Sequence, residues 1–212
     1  MKIHFKDLDN SYVPHILKEI FIDKIYDPFF RNKKDLVVVD CGANIGLFSL
    51  YASKYAKKIY AIEPSQSHHE HFKGNIEDNG IKNVGLVKKA LSNTNGTAKF
   101  YHSDNVTMFS LKQEVNSKPS EVETVETIMI DKLFEELKLE YVDFLKLDVE
   151  GSETEIICGS GFEKVAHKIG ALMVEWHAWS NTSPNLLVNA LRDYGFKVRQ
   201  VPNDATLFYA ER

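Results

Sequence analysis

Five acids and one histidine fall where short apolar runs of this chain end. Asp40 opens the stretch Asp40-Cys41-Gly42-Ala43-Asn44-Ile45-Gly46. Glu63 follows a second run, Asp148 and Glu150 a third, and Glu175 and His177 a fourth. Gly42 permits a sharp turn and a close approach of a ligand to the backbone. Gly46 permits tight packing of a following helix against a sheet. Glu63 can accept hydrogen bonds from both hydroxyls of a ribose, each contributing about 1.5–3 kcal/mol. Asp40 beside the glycines would repel a pyrophosphate but attract a sulfonium and an α-ammonium group. The dinucleotide fingerprint Gly-x-Gly-x-x-Gly is absent. The pattern therefore points to S-adenosylmethionine rather than NAD or FAD.

Methyl transfer from a sulfonium needs an aligned acceptor, and a hydroxyl acceptor gains from a general base. His177 is the first candidate, because its ordinary pKa lies near neutrality; Asp148 and Glu150 are the others. The plainer alternatives are a histidine hydrogen-bonded at a sheet rim and, for Glu150, a carboxylate capping the next helix. Asp148, Glu150, Glu175 and His177 could form a hard, oxygen-rich metal site. Nothing in their spacing demands one, so no metal is expected. His68, His69 and His71 are expected on an exposed helix face, with His68 and His71 sharing a side. Cys41 reads as a small buried residue. Trp176 and Trp179 read as walls of an acceptor pocket.

These residues need an alternating framework to bring them together. Residues 36–39 are a continuous β-branched run, the pattern of a strand covered on both faces. A helix is expected over 45–55 with Asn44 as its cap, then a strand over 59–62. Ser65 should cap a helix over 66–79 that Asn79-Gly80 closes, and 84–88 reads as a third strand. Residues 90–130 are polar and β-prone, with Asn95-Gly96 as a hairpin signal. This is a strand-rich insertion, with a loop near 113–120. A short helix (132–137), a strand (142–147), a helix from Glu153, a strand (171–175) and a helix (185–194) follow. A terminal hairpin (196–201 and 206–210) completes the chain. A lead-in helix is expected over 13–26. The alternation predicts a three-layer α/β sandwich whose mostly parallel sheet takes one antiparallel strand from the hairpin. Ligands of such sheets bind beyond the carboxyl ends of the strands.

The 212 residues suit one domain: an amino-terminal cap over 1–35, and the insertion over 93–130. Two cysteines suggest no disulfide framework and fit a reducing compartment. The net charge of −4, without a basic run, argues against a dedicated nucleic-acid binder. No stretch approaches the roughly 20 apolar residues of a membrane span, and the amino terminus lacks a signal-peptide core. A soluble, cytoplasmic protein with a small-molecule partner, and neither nucleic acid nor membrane, is the expectation. Oligomeric state is not legible.

The segments Val37 to Gly46, Glu63-Pro64, Ala90-Leu91-Ser92, Lys146-Leu147-Asp148-Val149-Glu150-Gly151 and Glu175-x-His177 together resemble the FkbM-type methyltransferases, over roughly residues 36–177. The stretch Lys146 to Gly151 followed by Glu153 is the most family-specific part. The resemblance implies a class I methyltransferase fold of seven strands, with the last antiparallel. It also implies S-adenosylmethionine as cofactor and O-methylation of sugars or natural products. It places Asp40, Gly42, Ala43 and Asn44 along the methionine part, with Gly46 and Pro64 in the same cradle. It puts Glu63 on the ribose, Ala90 and Leu91 beside the adenine, and Asp148 near the amino group or the reacting methyl. The adenine-binding aspartate common after the third strand is missing.

Two alternatives stay open: a non-catalytic nucleoside- or partner-binding module on this fold, and methylation of nitrogen. The amino-methylating tetrapeptide Asn-Pro-Pro-Tyr or Asp-Pro-Pro-Tyr is absent after the fourth strand. Acceptor choice is expected to lie in the insertion, where Asn105, Thr107 and Ser110 could face the pocket, in the lead-in helix and in the loop after His177.

Overall fold

The computed structural model describes residues 1–4, 13–102, 109–112 and 121–212. Among them the strands are β1 (Leu36–Cys41), β2 (Ala56–Ile62), β3 (Val84–Val87), β4 (Ala90–Leu91), β5 (Gly96–His102), β6 (Glu121–Ile128), β7 (Val142–Leu147), β8 (Ile169–Glu175), β9 (Lys197–Gln200) and β10 (Leu207–Glu211). The α-helices are α1 (Val13–Leu17), α2 (Asp27–Phe30), α3 (Leu47–Ala52), α4 (Gln66–Glu77), α5 (Ile130–Glu136), α6 (Glu153–Ile157), α7 (Ser160–Val165) and α8 (Pro184–Asp193). Asn105, Thr107 and the loop expected over 113–120 lie outside the described residues.

Seven strands form one sheet in the order β3-β2-β1-β7-β8-β10-β9. All run parallel except β10, which lies antiparallel between β8 and β9. This is the predicted class I methyltransferase-like sandwich with an antiparallel terminal hairpin. The alternation of side chains along each strand divides the core. Val38 and Phe144 point to one face, where Phe29, Phe30 and Phe48 cover them. Val39 and Leu145 point to the other, under Leu133, Ile156, Phe162 and Leu187. Phe144 lies 4.6 Å from Phe29 and 4.9 Å from Phe30, ring centre to ring centre. Apolar side chains on both faces explain why residues 36–39 of β1 read as an unbroken apolar run.

The insertion forms its own sheet, β4-β6-β5. The Asn95-Gly96 signal does not join paired strands, as its type suggested. β6 comes between β4 and β5, parallel to the first and antiparallel to the second. The lead-in is also not one helix. α1 runs into a π-helical turn, Lys18–Asp23, which ends at Lys24 (φ 56°), and α2 follows. α3 starts at Leu47 rather than Ile45. Asn44 does not cap it; its Oδ1 accepts instead from the Ile45 N–H (2.7 Å). Ser65 does stand at the start of α4, but its hydroxyl bonds to that of Ser67 (2.8 Å). No helix among the described residues is long and apolar enough to cross a membrane.

Two glycines fix the loop after β1. Gly46 (φ 86°) is the residue before α3, and a Cβ there would meet the Phe72 ring of α4 at 2.9 Å. Its close packing is therefore against a helix, not the sheet. Gly42 (φ 77°) carries a conformation that costs other residues about 1–2 kcal/mol. A Cβ on Gly42 would also lie 1.6 Å from the Asp148 carbonyl oxygen. The close approach that demands glycine is thus made by the neighbouring strand end, with the Asp148 N–H donating to the Cys41 carbonyl at 3.1 Å. Gly42→Ala should cost more stability than the left-handed conformation alone, as a shift in the urea midpoint would report. A loss within about 1–2 kcal/mol would mean that the two loops can separate freely.

Candidate functional site

A cavity of about 560 Å³ opens beyond the carboxyl ends of β1, β2, β7 and β8. That size suits a ligand pocket of ordinary dimensions. Gly42, Ala43 and Asn44 from the first loop line it, with Glu63 and Pro64 after β2, Ala90 and Leu91 in β4, and Asp148, Glu150, Glu175 and His177 after β7 and β8. The sequence reading brought these residues to one rim, and the structure gathers them around one space. Two members of the expected cofactor set differ. Gly46 is not part of the lining, and neither is Asp40.

Asp40 is wholly buried. One carboxylate oxygen accepts from the Ser49 hydroxyl at 2.6 Å, and the other lies 3.7 Å from the Lys146 ammonium. Burial pushes the Asp40 carboxyl above its ordinary value, while Lys146 and Ser49 oppose the rise. The parallel register of β1 and β7 sets Asp40 beside Lys146. The same ammonium donates to the Gly42 carbonyl at 3.1 Å and to the outer carboxylate oxygen of Asp148 at 3.0 Å. Burial disfavours its charge, but Asp148 and Asp40 outweigh burial and raise its pKa. Asp40 therefore does not offer a bare charge to a ligand. It anchors a lysine that holds the glycine loop against the end of β7.

Glu63 is almost wholly buried and already holds three protein donors. These are the Asn44 N–H (2.8 Å), the Ser65 N–H (2.9 Å) and His68 Nδ1 (3.2 Å). Burial alone would raise its pKa, but His68 and the two backbone donors hold it below the ordinary carboxylate range. An ionised carboxylate has about four acceptor sites. Glu63 thus has room for one ribose hydroxyl, not both. His68 itself is buried, against the expectation of an exposed helix face, while His69 and His71 are half-buried. Its ring stacks on Phe109 (4.7 Å, 14°), and Phe109 stacks in turn on His102 (4.3 Å). His68 lines the cavity, and its Nε2 has no hydrogen bond. Helical periodicity could place His68 on a side of α4, but not the insertion that covers that side.

His177 is also buried. Its Nδ1 lies 3.0 Å from Glu153 Oε1, and its Nε2 faces Glu150 (3.4 Å), Asp148 (3.8 Å) and Glu175 (3.8 Å). Burial opposes its charge, but the Glu153 bond and the surrounding carboxylates push its pKa up to about 10. With that proton in place, it has no lone pair to act as the general base expected of it. The repulsion of Asp148, with burial, raises Glu175 to about 8, and burial raises Glu150 well above its ordinary value. Glu150, at φ 57°, does not cap α6. Nor does Glu153, the first residue of α6, whose carboxylate turns back to accept from the N–H groups of Val149 (2.9 Å) and Gly151 (3.0 Å) in the preceding turn. Glu153 and Lys146 are the functional residues that sequence reading missed, although both stand in the family-specific segment.

Trp176 and Trp179 both line the cavity, as expected, and Trp179 packs on the His177 ring (4.7 Å). Ser110 does not offer a free polar group: it is buried, and its hydroxyl donates to the Glu150 carbonyl (2.6 Å). The insertion lines the cavity with Phe100, Phe109 and Leu111 instead. The lead-in forms a further wall through Val13, Ile16 and Glu19. Cys41 is buried, which raises its thiol pKa above the ordinary range.

The profile of the methyltransferase FkbM domain matches residues 40–198. Methyltransferase 1 of Beauveria bassiana is 34% identical, over 69% of this chain and 67% of its own length. Methyltransferase sdnD of Sordaria araneosa is 30% identical, over 86% of this chain and 82% of its own. A Streptococcus mutans protein described as a methyltransferase, solved in complex with SAH, has a similar fold at a TM-score of 0.54. It shares 14% identity over 89% of this chain and 96% of that one. A SAM-dependent methyltransferase from Aquifex aeolicus matches at a TM-score of 0.51, with 17% identity over 97% and 95% of the two chains.

Lys146→Met would leave Asp40 buried without a counter-charge, so a loss of about 3–5 kcal/mol in urea unfolding is expected. A variant as stable as the parent would remove Lys146 from its central place. The fold lowers the Glu63 pKa, so Glu63 stabilises the protein above the ordinary carboxylate pKa and loses that contribution as pH falls. Glu63→Gln should therefore be less stable than the parent at pH 7, with the gap narrowing towards pH 3. A gap that stays constant between the two would contradict the assigned charge state.

Proposed function

Since the chain belongs to the FkbM methyltransferase family, we propose that it transfers the methyl group of S-adenosylmethionine to a hydroxyl oxygen of a small molecule, of the sugar or natural-product kind. The observation that carries this reading is the shared cavity. The glycine loop and Glu63 line one part of it, and a cluster of carboxylates at the ends of β7 and β8 lines another. A hydroxyl acceptor must lose a proton, and such a cluster is suited to receive it.

The donor fits the residues that line the cavity. Glu63 accepts one ribose hydroxyl through its remaining site. Pro64, Ala90 and Leu91 flank the adenine, and His68 Nε2 supplies the polar contact that the missing aspartate would give elsewhere. Ala43 and Asn44 border the methionine part, and Asp148, steadied by Lys146, faces its α-ammonium group. When bound, the sulfonium supplies an electrophilic methyl: the carbon–sulfur bond breaks as the carbon–oxygen bond forms, and the electron pair stays on sulfur. The cluster orients the acceptor, and Glu150, whose Oε2 has no hydrogen bond, takes the hydroxyl proton. Trp176, Trp179 and the lead-in wall exclude water from that side.

Isothermal titration with S-adenosylmethionine should give one site per chain, and NAD should give none. Assayed for release of S-adenosylhomocysteine against a panel of hydroxylated and amine-bearing small molecules, the protein should methylate a hydroxyl. Glu150→Gln should slow that transfer about 10²–10⁴-fold while leaving donor binding intact. No binding at millimolar donor would refute the reading, and turnover confined to amines would refute its choice of oxygen.

A further inference from the structure

The cluster around His177 is built in a way that proton acceptance alone does not explain. Glu153 is completely buried, and its carboxylate accepts from two backbone N–H groups. With backbone donors already directed at it, Glu153 serves as an acceptor, which sets the hydrogen it shares with His177 on Nδ1. This fixes the ring and turns Nε2 towards Asp148, Glu150 and Glu175 at 3.4–3.8 Å. None of the three is within hydrogen-bond reach of Nε2. The inner oxygens of Asp148 and Glu150 are buried and have no hydrogen-bond partner. One atom from each of Asp148, Glu175 and His177 falls within a span of 4.8 Å. Two ligands at about 2.1 Å from one ion stand roughly 3–4 Å apart, so a small inward rotation of the carboxylates would close such a set.

A histidine oriented through its second nitrogen by a carboxylate is the usual support of a metal ligand. The charge balance agrees. Besides His177, Lys146 is the cation among the described residues in contact with these acids, and it is engaged with the outer oxygen of Asp148. Glu19 and Asp204 add further acids to the lining. We propose that Asp148, Glu175 and His177 Nε2 bind a divalent cation at the end of β7 and β8, with Glu153 as the residue that orients His177. Two carboxylates with one imidazole suit a first-row divalent ion that takes nitrogen as well as oxygen better than calcium or magnesium, which prefer all-oxygen sites, and manganese serves as its paramagnetic probe. A cation there competes with the proton on His177 for the same place. The binding itself does not rest on the methyl-transfer reading; its use does. In that use a coordinated acceptor hydroxyl would lose its proton more readily, to the Glu150 oxygen that lies outside the ligand set.

Manganese titrated into the chelator-treated chain, without methyl donor or acceptor, tests this through the electron paramagnetic resonance of the free ion. One ion per chain should bind below millimolar concentration, with spin-echo modulation from one imidazole nitrogen. Glu175→Gln should weaken binding at least ten-fold, and Glu153→Gln about 10–100-fold. The exposed, distant Glu136→Gln should leave it unchanged. His177→Gln should abolish the nitrogen modulation; if it fails to fold, Glu175→Gln, whose side chain is 43% exposed, gives the answer. No binding at millimolar manganese would overturn the proposal, as would binding that folded Glu175→Gln retains in full. Neither outcome bears on donor binding, which is measured separately.

Discussion

Lys146 is a charged side chain in the middle of a buried strand, and the cavity depends on it. Its ammonium touches an aspartate on β1, a carbonyl of the glycine loop and an aspartate after β7. Removing such a charge from water costs several kcal/mol. Partners on every side are what make it tolerable. The same contacts join the ends of two strands whose separation would otherwise be set only by backbone pairing. The glycine loop after β1 and the loop after β7 are therefore tied together as one edge.

That rigidity continues outward. Gly42 packs on the Asp148 backbone, Glu153 gathers the N–H groups of the following turn, and His177 completes the chain of contacts from β8. Pre-ordered polar groups do not have to reorganise when charge shifts during a reaction. The arrangement also concentrates negative charge, and only some of it is offset by Lys146 and His177. An acid-rich edge of this kind is unfavourable without a bound proton or cation, so it costs stability rather than adding to it.

The sheet was legible because its central strands are built around short apolar runs with acids at their ends. Residues 142–147 form a strand with the expected limits, and the hairpin supplies the antiparallel β10 as predicted. The cavity rim was legible for the same reason. What could not be read arises from contacts between segments far apart in sequence. Asp40 seemed to face a ligand until its register against Lys146 was known. Glu153 begins α6 as expected, but the backward turn of its carboxylate to Val149 and Gly151 was not legible. His68 shares a side of α4 with His71, but periodicity does not tell which side another sheet will cover. Local patterns name elements, whereas pairing between elements decides which polar atoms stay free.

Phe109 lies between the rings of His68 and His102, and the two belong to different sheets' neighbourhoods: α4 beside the large sheet, and β5 of the small one. The small sheet shares no strand with the large one. The flat faces of the three rings bridge the two sheets' neighbourhoods. Ser110 of the insertion also bonds the Glu150 carbonyl, and β4 brings Ala90 and Leu91 to the cavity, so the small sheet and the strand ends form one contact surface. Cover and rim are thus coupled, and a change in either reaches the other through these shared contacts.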